Sequence, residues 1–168
     1  MAVDAAAEST LWADCLLAEP ARDRSPVFSP LGEARYSLGL ETIYEGYLVH
    51  YGRPRLFAPP DDDTALLLGD YLYAHGVARI SALEDVAAVA DLSELISLCS
   101  QVRAEGAEGD GPLWAATAAL LGRGALDEAR TALRLHSDPE PLDRAARNAA
   151  GDDAVDVALA AHSERRVS

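Results

Sequence analysis

Glycine falls at Gly32, Gly39 and Gly46, seven residues apart, while Tyr36, Leu40, Tyr44, Tyr47 and Tyr51 follow one another at steps of three and four over the same stretch. Such steps gather side chains on one face of an α-helix and scatter them over both faces of a strand, so residues 31–51 are predicted to form a helix with a tyrosine face and a glycine line. A glycine inside a helix costs about 1 kcal/mol relative to alanine, and three on one line imply that another backbone or a bulky ligand comes close there. The feature returns over 62–79, where Ala65, Gly69 and Gly76 share a line beside Leu66, Leu68, Leu72 and Tyr73. Two glycine-lined helices consecutive in sequence are predicted to lie against each other. The tyrosine face has two readings, a filled core or the wall of a pocket for a long apolar ligand, and core packing is the more economical.

The rest of the chain reads as helix as well. Alanine is abundant, aromatic residues are 6% of the total and β-branched residues are scattered, a mixture that disfavours strands. The expected fold class is all-α, a bundle of about seven or eight helices. A first short helix is predicted over 3–18, stopped by Glu19-Pro20, and a loop runs to Pro30. Ser29 is placed to cap the second helix, with Pro30 at its first position. Ser81-Ala82-Leu83-Glu84 reads as a capping box that starts a fourth helix near Ala82 and carries it to about Ala104. The glycine-rich stretch 106–111 divides a 1–105 part from a 112–168 part, the two expected to pack as one domain. Pro112 then opens a helix to Leu121, Gly122-Arg123-Gly124 turns, and Leu126–Leu135 is predicted to return as its antiparallel mate. That pair resembles one tetratricopeptide unit, but no period of about 34 residues recurs, so it reads as a solitary hairpin. Ser137-Asp138-Pro139-Glu140 offers another capping box, and Gly151 separates the last two helices.

Charge narrows the function classes. The chain has 168 residues, 28 acidic against 14 basic, and a net charge of −14, with every basic residue an arginine. This balance repels phosphate backbones and anionic membrane surfaces, which argues against nucleic acid as a partner. Without lysine there is neither a Schiff-base nucleophile nor a phosphate-binding P-loop lysine. The two cysteines, Cys15 and Cys99, are too few for a disulfide framework or a structural zinc site and are expected to be buried thiols. No apolar run approaches the ~20 residues of a membrane span, and no leader pattern opens the chain, so a cytoplasmic protein without cofactor is expected.

Metal ligation finds weak support. His50 and His75, one in each glycine-lined helix, could approach each other, yet nothing supplies further ligands. Asp61-Asp62-Asp63 would suit a hard cation, but successive helical residues diverge by about 100°, so the run reads as a solvated helix start where negative charge is welcome. No metal site and no catalytic residue is expected.

Two segments carry a family resemblance. Leu66-Leu67-Leu68-Gly69-Asp70-Tyr71-Leu72-Tyr73-Ala74 resembles the LxGDYLxA segment of the trans-isoprenyl diphosphate synthases, the polyprenyl synthetase family. Upstream, Leu40-Glu41-Thr42-Ile43-Tyr44-Glu45-Gly46-Tyr47-Leu48-Val49-His50 resembles the family's LExIHxxSLxH helix. Downstream, Ser93-Glu94-Leu95-Ile96-Ser97-Leu98 with Gln101 and Glu105 is similar to the next family helix, so the likeness spans about residues 35–105. In this register Tyr51-Gly52-Arg53-Pro54-Arg55 occupies the place of the aspartate-rich DDxxD motif. A second register sets Gly52-Arg53-Pro54 on the family's RRGxP motif and puts Glu41 and Glu45 on the outer aspartates. Neither restores DDxxD, the later KT dipeptide and second aspartate-rich motif are missing, and the chain is much shorter than those synthases.

The resemblance implies a shortened isoprenoid-synthase bundle that has lost its chemistry. The family ionises an allylic diphosphate, whose departing charge is held by magnesium on two carboxylate clusters, and without both clusters that stabilisation is gone. What it leaves is binding. Arg53 and Arg55 could take a diphosphate by forked hydrogen bonds, and Tyr44, Tyr47, His50, Tyr51, Asp70 and Tyr73 would complete a prenyl pocket. The expected function is that of a catalytically degenerate polyprenyl synthetase-like protein, a non-catalytic subunit or regulator of a full-length prenyl diphosphate synthase. The alternatives are an isoprenoid or quinone-tail binder and a plain helical interaction domain without ligand. A homo- or hetero-oligomer is expected in each case, because half a synthase-like bundle exposes apolar helix faces.

Overall fold

The computed structural model describes residues 9–166, and among them eight α-helices are joined by turns, with no strand. They are α1 (Thr10–Asp14), α2 (Ser37–Tyr51), α3 (Asp62–Ser81), α4 (Val86–Ala104), α5 (Asp110–Leu120), α6 (Asp127–His136), α7 (Glu140–Ala150) and α8 (Asp152–Ser163). Three short 3-10 turns, Glu19–Ala21, Ser29–Leu31 and Ala34–Tyr36, lie between α1 and α2. Among the described residues no helix is long and apolar enough to cross a membrane.

The glycine lines bring α2 and α3 together, as their spacing predicts. A methyl group added at Gly76 would sit 2.4 Å from Ile43 Cγ1 and 2.8 Å from the Gly39 carbonyl oxygen, and one at Gly46 would sit 2.9 Å from the Gly69 carbonyl oxygen. Backbone therefore meets backbone along the seam. The tyrosine face points the other way, into the main core. Tyr44 and Tyr47 pack on Trp114 of α5 with ring centroids 5.1 and 5.6 Å apart, and Phe28 stacks on the same indole at 5.6 Å. This core continues through Leu95 and Leu98 of α4, Leu133 of α6, Leu142 of α7 and Val155 of α8, so residues from both sides of the 106–111 stretch contribute to it. A smaller cluster at the other side of α2 joins Trp12, Cys15, Val49, Leu56, Phe57, Leu68 and Leu72.

Several helix ends differ from the local expectation, each for a tertiary reason. The first helix stops at Asp14 rather than 18, because Leu17 N–H bonds Leu56 O at 2.9 Å and Ala58 N–H bonds Cys15 O at 2.7 Å, pairing the two segments in extended form; the predicted start at residue 3 lies outside the described residues. The second helix starts at Ser37, not 31. Ser29 makes no side-chain cap, and Gly32 is extended against α5, where an added methyl would fall 2.1 Å from the Ala118 carbonyl oxygen. Gly32 thus leaves the glycine line of the helix. Ser81 stays inside α3 and Glu84 turns with φ +59°, so Asp85 caps α4 by accepting from Ala88 N–H at 2.9 Å.

The same happens near the end of the chain. Ser137 adopts φ +52° and closes α6, with Asp138 N–H reaching back to Ala132 O at 3.4 Å, as in a Schellman ending. Asp138 rather than Ser137 then accepts from Glu140 N–H at 3.0 Å. Helix α5 begins at Asp110, two residues before Pro112, and packs mainly along α7 instead of pairing with α6. Arg130, 3% exposed, ties α6 to Asp91 of α4 at 2.7 Å and more weakly to Thr117 of α5 at 3.4 Å. Asp61 caps α3 through Thr64 N–H at 2.7 Å, with Asp62 and Asp63 in the first turn, so the aspartate run is the solvated helix start the spacing suggests. Cys15 and Cys99 are buried free thiols.

Candidate functional site

Glu41 and Glu45, one turn apart on α2, both reach Arg55 in the loop after it. Arg55 is 6% exposed; its Nε donates to Glu45 Oε2 at 3.0 Å, and its Nη1 donates to Glu41 Oε2 and to Ser25 O, both at 2.8 Å. The carboxylates also hold main chain. Glu41 Oε1 accepts from the N–H groups of Val27, Phe28 and Ser29 at 2.9–3.2 Å. Glu45 Oε1 accepts from Arg55 and Leu56 N–H at 2.8 Å each. Burial pushes the Glu45 carboxyl up, against the pull of Arg55 and these N–H groups. Two glutamates and one arginine thereby fix the loops 25–29 and 55–56 onto α2.

A second buried network ends on Asp110, at the N-terminus of α5 and 1% exposed. Tyr47 donates its hydroxyl to Asp110 Oδ2, and His162 Nε2 lies 3.5 Å from the same oxygen. His162 Nδ1 pairs with the Tyr44 hydroxyl at 2.9 Å, so a proton on Nε2 aims the ring at Asp110 and leaves Nδ1 to accept from Tyr44. Burial alone would raise Asp110, but the nearby His162, the hydrogen bond from Tyr47 and the nearby Arg166 outweigh it and hold the carboxyl well below its usual range. Burial pushes the hydroxyls of Tyr44 and Tyr47 far up. Tyr44 and Tyr47 are thus packed ring on ring, their hydroxyls spent inside the core.

The remaining predicted site residues separate into two places. His50 Nε2 stands 3.2 Å from Asp70 Oδ1, its ring 5.1 Å from that of Tyr73 and against Gly69. Burial lowers the His50 pKa, Asp70 opposing, and burial raises Tyr73. Tyr51 reaches Ser100 Oγ at 3.3 Å. Arg53 is exposed and meets the end of the chain, with its N–H on Arg165 O at 2.8 Å and its guanidinium on the Glu164 carbonyl. His75 stacks with Tyr71 at 5.7 Å, so the two helix histidines engage different tyrosines. Among the described residues no group of three or more histidine, cysteine, aspartate or glutamate side chains gathers as a metal site would require.

One open cavity among the described residues lies away from the tyrosine face. With a volume of about 690 Å³, it opens beside Glu41 and Arg55, bounded by Ser29, Ser37, Leu38 and Leu56. Sequence reasoning passed over most of this lining, as it did Asp110 and His162. The signal for Glu41 was its i, i+4 spacing from Glu45; an acidic residue at a helix N-terminus and a histidine near a chain end carry none. Compared with known proteins, the chain matches no family model, no curated protein and no solved structure.

Proposed function

We propose that this chain is a non-catalytic helical protein that serves as a subunit or regulator of a prenyl diphosphate synthase. The observation that carries the reading is the fate of Arg55, the residue the resemblance would set against a diphosphate. Its guanidinium is buried and occupied by Glu41, Glu45 and the Ser25 carbonyl. Those glutamates, which one register places on the outer aspartates, hold an internal cation where active members of the family hold metal. A group so satisfied gives no stabilisation to a departing diphosphate, because catalysis needs an interaction that appears in the transition state.

The isoprenoid-tail alternative draws less support. A tail between α2 and α3 would have to part a seam closed by glycine against carbonyl, and the tyrosine face is filled by Trp114 and Phe28. The test is reconstitution. Co-expression with a full-length prenyl diphosphate synthase is expected to recover a complex, and adding this chain is expected to change the product chain length. No complex and an unchanged product would remove the proposal; release of diphosphate from an allylic substrate by the purified chain with magnesium would replace it with an enzyme.

A further inference from the structure

The charged side chains that line the cavity beside Glu41 cancel, Asp23 and Glu41 against Arg24 and Arg55. Each already has its partner. Arg55 Nη1 donates to Glu41 Oε2 at 2.8 Å, Arg24 Nη2 lies 2.9 Å from Glu19 Oε2, and Asp23 accepts from Arg165 and from Ser25 N–H. An ion entering this place gives up its water and finds no unpaired countercharge, so the cavity disfavours ligands of either sign. The groups left unused are neutral. Among the described residues the hydroxyls of Ser29 and Ser37, both lining the cavity, form no hydrogen bond. Ser29 is 7% exposed, and its oxygen is not among the buried atoms sealed off without a partner, so the surface it keeps opens on the cavity. Leu56, 4% exposed, and Leu38, 39% exposed, give the same space an apolar wall from its depth to its mouth.

We propose that this cavity binds an uncharged amphiphile, a small molecule with an apolar body that ends in a hydroxyl. The ligand hydroxyl bonds Ser29 Oγ, which can donate or accept, with the Ser37 hydroxyl as a second partner, and the body lies on Leu38 and Leu56 and takes their carbon out of water. A hydroxyl buried without a partner is costly, so a ligand that answers Ser29 gains what a plain hydrocarbon of the same size cannot. The volume of about 690 Å³ suits a molecule of drug size. The site is independent of any synthase partner and is tested on the chain alone.

Phenethyl alcohol, phenethylamine and 3-phenylpropionate carry one apolar body with a neutral, a cationic and an anionic group, and ethylbenzene carries it with none. Titrated at neutral pH and followed by amide NMR, the alcohol is expected to shift the Ser29, Ser37 and Leu38 signals saturably and to bind at least about tenfold more tightly than either ion. Ser29→Ala removes a hydroxyl that no described protein group uses, and is expected to weaken the alcohol by about fivefold or more at unchanged melting temperature while ethylbenzene changes by less than about twofold. An ion bound as tightly as the alcohol, shifts without saturation or confined to other residues, alcohol binding indifferent to Ser29→Ala, or a loss shared equally by ethylbenzene would overturn the site. Should Ser29→Ala fail to fold, the comparison of the alcohol with its two ionic analogues on the unaltered chain decides alone.

Discussion

At Asp110, in the middle of the core, a carboxylate survives because Tyr47 donates its hydroxyl to it, His162 Nε2 stands 3.5 Å from it and Arg166 lies 3.7 Å away. Its folded pKa is depressed, so on acidification the unfolded chain takes the proton first. The stability it contributes is therefore full above the unfolded value of about 3.9 and is lost as pH falls through the lower folded value. Asp110→Asn is expected to cost about 3 kcal/mol at pH 7, since it strips the charge from its partners and faces Tyr47 or His162 with an amide donor. The difference from the parent should shrink in urea unfolding at pH 3; a gap unchanged by pH would show that the charge is not what matters there. Single residues like this were the least legible. Glu41 and Glu45 are visibly on one face, but Arg55 ten residues past Glu45 could as well have pointed to solvent, and its capture depends on where the chain turns after α2.

At the scale of elements, periodicity was the reliable guide and punctuation the unreliable one. Gly39, Gly46, Gly69 and Gly76 lie at the α2–α3 seam as their spacing requires, since only a residue without Cβ lets two backbones come this close. In an isolated helix Gly76→Ala would gain about 1 kcal/mol. Here the new methyl would clash with Ile43 and the Gly39 carbonyl, and a net loss of about 1–3 kcal/mol is expected, read as a lower urea midpoint at unchanged slope. A higher midpoint would mean that the seam has slack. Helix boundaries followed other rules. Ser81-x-x-Glu84 and Ser137-x-x-Glu140 have the letters of capping boxes, yet in both places the serine finishes the preceding helix and a neighbouring aspartate takes up the free N–H groups. Two caps that both satisfy the same backbone cannot be ranked from local sequence, and the packing of the flanking helices chooses between them.

Over the whole molecule the tyrosines report how closed the core is. Burial, then the Asp85 hydrogen bond, pushes Tyr36 up to about 12, and burial raises Tyr44, Tyr47 and Tyr73 further. A raised folded pKa means that the related stability is full below the unfolded value of about 10 and is lost as pH rises toward the folded one. These four rings should therefore ionise, by absorbance at 295 nm, only together with the loss of helical circular dichroism; ionisation with the helix signal intact would contradict the packing. The all-α class, the helix faces and the α2–α3 seam were legible in the residues alone. Those depend on period and on the volume of a missing Cβ, which are local properties. Folding alone settles that the tyrosine face packs on Trp114, that Arg55 is spent on two glutamates, that α5 lies along α7, and that a cavity opens beside Glu41. Those outcomes depend on which distant side chains arrive at a place, and Trp114, His162 and Arg55 reach theirs only once the chain has folded back on itself.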